Sequence, residues 1–104
     1  MAVVLTADVR LQGVRLMGGT VTLDGSNPTP VDLSAYVSSI LVGQATIQGS
    51  AATGADPNQV SALINGASLD IYAWKVTTGG ASGNPTEIAS TDGARLINWF
   101  AIGI

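Results

Sequence analysis

The stretch that decides the fold is Ala62-Leu63-Ile64-Asn65-Gly66-Ala67-Ser68-Leu69-Asp70-Ile71-Tyr72-Ala73-Trp74-Lys75-Val76-Thr77. Asn65-Gly66 follows an apolar run and precedes an alternating one. Asn and Gly tolerate the positive φ that a type I′ turn requires at its central positions, so the pair predicts a hairpin with a return strand from Ser68 to Thr77. In that strand Leu69, Ile71 and Ala73 fall on one face, and Asp70, Tyr72, Trp74 and Val76 on the other. Apolar residues alternate here instead of recurring at helical spacing, which marks β structure.

The same signature extends outward from the hairpin. Val21 and Leu23 alternate with Thr20, Thr22 and Asp24, and Asp24-Gly25 closes that strand as a turn. Pro28 and Pro30 exclude a central strand at 27–30, because proline cannot donate to a ladder. Residues 36–48 are predicted as a long strand bent at Gly43, and 49–58 as a loop. Downstream, 79–85 is predicted as a loop tip, 86–90 as a short strand, Asp92-Gly93 as a turn and 94–102 as the last strand. Only a weak helical pattern, near 56–64, interrupts the series. Short strands at this turn spacing predict an all-β fold, an antiparallel β-sandwich or jelly roll of seven to eight strands.

The N-terminal residues read differently. Val9-Arg10-Leu11-Gln12-Gly13 and Val14-Arg15-Leu16-Met17-Gly18 form a tandem repeat of odd length. In one extended strand an odd period would point Arg10 and Arg15 to opposite faces. Two organisations are open: strand, glycine kink and strand, or an N-terminal extended arm that pairs with a neighbouring molecule. Residues 1–18 are accordingly set apart as an arm or extra strands, with the sandwich domain over 19–104.

Composition narrows the chemistry. The 104 residues include no histidine and no cysteine, which excludes Cys-His pairs, Ser-His-Asp triads and zinc modules built on those ligands. The sequence reads as a structural or binding module, not an enzyme. Four basic side chains and a net charge of −3 argue against nucleic acid as a partner. No apolar run approaches the ~20 residues of a membrane span, and no basic segment precedes the apolar residues 2–5 as a secretory signal requires. Synthesis in the cytoplasm is the expectation. Charged residues make up 11% of the chain, against about 25% in typical domains, so part of the surface is expected to be covered in the working state.

Candidate sites are few. Of the seven carboxylates, only Asp70 and Glu87 fall in predicted strands, whereas Asp24 and Asp92 occupy turn positions where Asp is expected for backbone reasons. A glycosidase-like pair therefore has little to stand on. Lys75, the one lysine, is read as an exposed cation or a cation–π partner of Trp74. Gly79, Gly80 and Gly83 lack the strand-then-helix setting of a phosphate loop, and 54–58 lacks a calcium-loop pattern. No catalytic residue, metal or cofactor is expected.

The aromatic residues carry more information. In strand 94–102, Leu96, Asn98, Phe100 and Ile102 share one face, and Arg95, Ile97, Trp99 and Ala101 the other. Strands 68–77 and 94–102 thus have bulky apolar groups on both faces, while a sandwich has one inner face per sheet. A row such as Tyr72/Trp74 or Ile97/Trp99 lies outside on one reading, and both strands are simply central and covered on the other. The candidate interface comprises Val9, Arg10, Leu11, Val14, Arg15 and Leu16 from the repeat, with Tyr72, Trp74 and Trp99. Buried Trp and Tyr dominate the energetics of many interfaces, and a sugar-binding aromatic platform is the rival use.

Four stretches carry a resemblance: Gly19-Thr20-Val21-Thr22-Leu23-Asp24-Gly25, Asn27-Pro28-Thr29-Pro30-Val31, Leu69-Asp70-Ile71-Tyr72-Ala73-Trp74-Lys75-Val76-Thr77, and Trp99-Phe100-Ala101-Ile102-Gly103. Together they resemble small virion proteins of tailed bacteriophages, of the head-decoration (cement) type. The likeness runs over roughly residues 19–103 and leaves 1–18 outside. It implies a β-sandwich on the outer capsid surface that binds the major capsid protein, forms a homo-oligomer (a trimer) and bridges capsid subunits. Many weak contacts would then sum by multivalency. The rival is a phage tail or fibre domain, or a carbohydrate-binding sandwich that stacks Trp74 or Trp99 on sugar rings.

Overall fold

A computed structural model describes residues 4–48, 59–76, 87–90 and 95–104. The eight strands are β1 (Val4–Leu11), β2 (Val14–Thr22), β3 (Thr29–Asp32), β4 (Ile40–Ile47), β5 (Gln59–Asn65), β6 (Ser68–Val76), β7 (Glu87–Ala89) and β8 (Leu96–Gly103). They form two four-stranded antiparallel sheets, an all-β sandwich. Sheet A has the order β1-β2-β8-β4; in sheet B, β6 lies between β5 on one side and β3 and β7 on the other.

The core lies where the inner faces meet. Met17 and Val21 of β2, Ile97, Trp99 and Ala101 of β8 and Ile40 of β4 face Val31 of β3 and Leu69, Ile71 and Ala73 of β6. Leu23, Leu33 and Val37 close the ends from the connections. Removing these apolar groups from water is the main favourable term. Close approach depends on Gly43, whose position faces sheet B: any Cβ there would collide with the Leu69 side chain. Glycine thus lets Leu69, which is fully buried, pack against the β4 backbone.

The β5–β6 hairpin is present with a shifted turn. Asn65 and Ser68 are direct partners, so the two-residue loop is Gly66-Ala67. Gly66 has φ +61°, and among the described residues none other than glycine has positive φ. Positive φ at the first central position alone is the type II′ pattern, in place of the expected type I′ turn at Asn65-Gly66. Asn65 is thereby freed to donate from Nδ2 to Asp70 Oδ2 at 3.3 Å.

Two further expectations are corrected. The strand predicted over 36–48 begins only at Ile40, because residues 34–36 form a turn in which the Tyr36 and Val37 amides bond to the Leu33 carbonyl. Of the two organisations open for the N-terminal residues, the structure has two strands joined at a glycine and not an extended arm. β1 and β2 form a hairpin about Gln12-Gly13, β2 is an interior strand of sheet A, and a boundary between 18 and 19 would cut it. The turn folds the repeat back on itself, so Arg10 and Arg15 are direct cross-strand partners on one face instead of pointing apart. The predicted loops at 49–58 and 79–85 and the Asp92-Gly93 turn lie outside the described residues.

On the shared edge of β6, β3 pairs with residues 68–71 and β7 with 74–76. Ala73 lies in the gap between them. Its amide donates to Asn27 Oδ1 at 2.9 Å, and its carbonyl accepts from the Ser90 amide at 2.8 Å. A side chain therefore completes the ladder where no strand does, as buried backbone groups require.

Candidate functional site

The register of sheet A fixes what its outer face presents. Direct partners share a face, so Val9, Leu16, Ile102 and Val42 form one apolar row across all four strands. The next row is Ala7, Gly18, Phe100 and Gln44, and beyond it lie Thr20, Asn98 and Thr46, then Thr22 and Leu96. Leu11 and Val14 extend the apolar rows at the hairpin end. None of these outward residues is charged. Val9 (51%), Leu11 (59%), Val42 (45%) and Phe100 (39%) lie in neighbouring rows and remain substantially exposed, with Leu96 (43%) beyond the Thr20/Asn98/Thr46 row, an exposed apolar surface of the kind that marks an interaction site.

The outer face of sheet B is different in kind. It presents Pro30, Asp32, Gln59, Ser61, Leu63, Asn65, Ser68 and Asp70 around Tyr72 and Trp74. The Tyr72 and Trp74 rings stack with centroids 6.4 Å apart and an interplanar angle of 15°. Trp74 Nε1 points to Ser61 Oγ at 3.5 Å. Asp70 is buried and accepts from Ser68 Oγ at 2.7 Å as well as from Asn65, an ordinary structural use of a carboxylate. The Glu87 side chain lies outside the described residues.

The candidate interface residues therefore divide three ways. Val9, Leu11, Val14 and Leu16 come together on the outer face of sheet A. Tyr72 and Trp74 lie on the opposite side of the sandwich. Trp99 is a correction: at 3% exposure it is a core residue, because its strand turns the Ile97/Trp99/Ala101 face inward. Of the two rows weighed from the sequence, Tyr72/Trp74 is the outer one and Ile97/Trp99 the inner one.

Arg10 and Arg15 face away from the apolar rows. Arg15 donates from Nε and Nη2 to Asp8 Oδ1 and Oδ2 at 2.7 and 2.6 Å, and from Nη1 to the Tyr36 carbonyl at 3.1 Å. Its guanidinium carbon sits 5.0 Å from the Tyr36 ring centroid, a cation–π arrangement. The hydrogen bond from Arg15 holds the Asp8 carboxyl below its ordinary pKa, with the charges of Arg15 and Arg10 adding to it against desolvation, and Asp8 raises Arg15 in turn. Arg15, Arg10, Tyr36 and Ile104 help line an open notch of about 310 Å³ at this end of the sandwich. The Arg15 fork is already occupied there.

Phe100, Ile102, Val42 and Leu96 complete the apolar face and were absent from the candidate interface. The alternation of β8 groups three of them, and it does not say which face turns inward. Reading Gln12-Gly13 as a hairpin turn would have set Val9 opposite Leu16 and revealed the row.

Among the described residues, no cluster of three or more Asp, Glu, His or Cys side chains is placed to hold a metal ion. No helix of the described residues is long and apolar enough to cross a membrane. No protein-family model, no curated protein and no solved structure matches this chain.

Proposed function

We propose that this chain is a non-catalytic virion protein of a tailed phage, a decoration or cement protein that seats the outer face of sheet A on the major capsid shell and bridges its subunits. The single observation that carries the reading is the absence of charge among the described residues of that face. A surface exposed to water in its working state needs charged groups for solubility. One that docks on another protein is depleted of charge at its centre and enriched in apolar and aromatic groups. Val42, Phe100 and Val9 fit the second description, and the resemblance of residues 19–103 to head-decoration proteins names the partner.

The test is co-sedimentation with phage heads from the source that lack the protein. Wild type should pellet with the heads. Phe100→Glu and Val42→Glu should fold, as judged by circular dichroism, and stay in the supernatant, while Trp74→Ser on the other sheet should still pellet. Outer-face variants that bind like wild type would overturn the assignment of the face. Failure of the wild type to bind would overturn the reading itself.

A second reading rests on the stacked Tyr72/Trp74 pair, which offers a flat aromatic surface for a sugar ring on sheet B. Quenching of Trp74 fluorescence by host-surface glycans, abolished in Tyr72→Ser, which keeps the fluorophore, would favour a tail or fibre role.

A further inference from the structure

We infer that two copies of this chain pair along β1, antiparallel and about a two-fold axis at Val9, joining two sheets A into one eight-stranded sheet. The inference stands on the edge of β1 and is independent of the capsid reading.

Three observations lead to it. First, among the described residues β1 is the open edge of sheet A, since the opposite edge strand, β4, runs beside β5 and its Ile40 amide bonds to the Gly66 carbonyl at 2.8 Å. From Thr6 to Leu11 every β1 residue is exposed. An open edge of this length presents unpaired backbone groups to any incoming strand.

Second, the hairpin fixes which groups point outward. Leu11 and Val14 flank a two-residue turn and form its closing hydrogen-bonded pair. By alternation, the N–H and C=O groups of Leu11, Val9 and Ala7 face β2. Those of Asp8 and Arg10 face the open edge.

Third, the strand is complementary to itself in charge. With Val9 opposite the second copy's Val9, Asp8 falls opposite Arg10 on both sides of the axis. The same register aligns the outward N–H and C=O groups of Asp8 with those of Arg10, giving two hydrogen-bonded pairs around a non-bonded Val9 pair. Among the described residues Arg10 has no hydrogen bond or ion pair of its own. Each Asp8 oxygen takes one bond from Arg15 and keeps lone-pair capacity for a second donor. Opposite charges placed directly across a ladder are attractive, and a slip of one residue would separate them.

The arrangement also has a consequence for the outer face. Ala7 falls opposite Leu11 of the second copy, so the apolar row Val9-Leu16-Ile102-Val42 continues through the axis into its symmetry mate. A two-fold pair of this kind is a dimer, where the resemblance implies a trimer.

Sedimentation velocity of the full chain should show a dimer. Arg10→Glu and Asp8→Lys should each sediment as monomers, because each homodimer would set like charges face to face twice. An equimolar mixture of the two should recover the dimer, since both pairs become complementary. The native chain has no cysteine, so thiols report the register without background. Cα atoms in a non-hydrogen-bonded pair lie about 4.5 Å apart, within disulfide range. Val9→Cys should form a cross-linked dimer on mild oxidation. Ala7→Cys and Leu11→Cys should cross-link when mixed and not alone. A monomeric or trimeric wild type would overturn the inference, as would folded charge variants whose mixture stays monomeric. If Asp8→Lys fails to fold, the cysteine pairs decide: absence of the Val9 cross-link and of the mixed cross-link would overturn the pairing.

Discussion

Trp99 and Phe100 are adjacent in β8 and lie on opposite sides of sheet A, Trp99 in the core at 3% exposure and Phe100 on the outer surface at 39%. One peptide bond thus separates a residue that holds the fold from one that is free to serve binding. The two should respond oppositely to substitution. Trp99→Ala is expected to cost about 3–5 kcal/mol in urea unfolding, the range for emptying an aromatic site in a core. Trp99→Phe should cost less, because it also removes a buried indole N–H that has no hydrogen-bond partner among the described residues. Phe100→Ser should shift stability by no more than about 0.5 kcal/mol, as for an exposed position.

Gly43→Ala tests how closely the sheets approach. The new methyl would meet Leu69, so either the side chain or the β4 backbone must shift, at a cost of about 1–3 kcal/mol. Shortening the obstacle should relieve it: in a double-mutant cycle with Leu69→Ala, the penalty of Gly43→Ala should shrink. Equal penalties in both backgrounds would place the strain elsewhere.

Asn27→Ala tests the side-chain bridge in sheet B. It leaves the amide of Ala73, itself 2% exposed, without its acceptor, a loss of about 1–3 kcal/mol for an unsatisfied buried donor. Hydrogen exchange at the Ala73 amide should accelerate in the variant, and the amides of β2 should be unaffected.

Among the described residues, three carboxylates shape the acid limb of stability. Asp24 is held below its ordinary pKa of 3.8 by hydrogen bonds from the Ser26 hydroxyl and amide and from Thr29, Asp32 by Ser34, and Asp8 by Arg15. A carboxyl with a lower pKa folded than unfolded stabilises above its unfolded pKa, and that contribution is lost as pH falls through the folded value. With no histidine to titrate, stability should be level from about pH 5 to 7 and should decline below 3.8. Asp24→Asn, which keeps the Oδ1 acceptor, should flatten part of that decline. A midpoint that changes near pH 6 would contradict this.

The sandwich was legible because alternation, Pro28, Pro30 and the Asn65-Gly66 pair are local signals, each acting within a few residues. What alternation in β8 leaves open is which side faces sheet B. That depends on contacts such as Leu69 against Gly43, which lie far apart in sequence. The same reason accounts for Trp99, whose size suited an interface as well as a core. The repeat at 9–18 was legible as two strands about a glycine, but not as a reversal there, and an odd period in one strand becomes a symmetric pairing once the chain folds back.

The most direct test of the attachment reading is immunogold labelling of source virions with antibody raised to the purified chain. Gold distributed over the head is the predicted result. Gold confined to the tail, or no gold on particles at all, would contradict it.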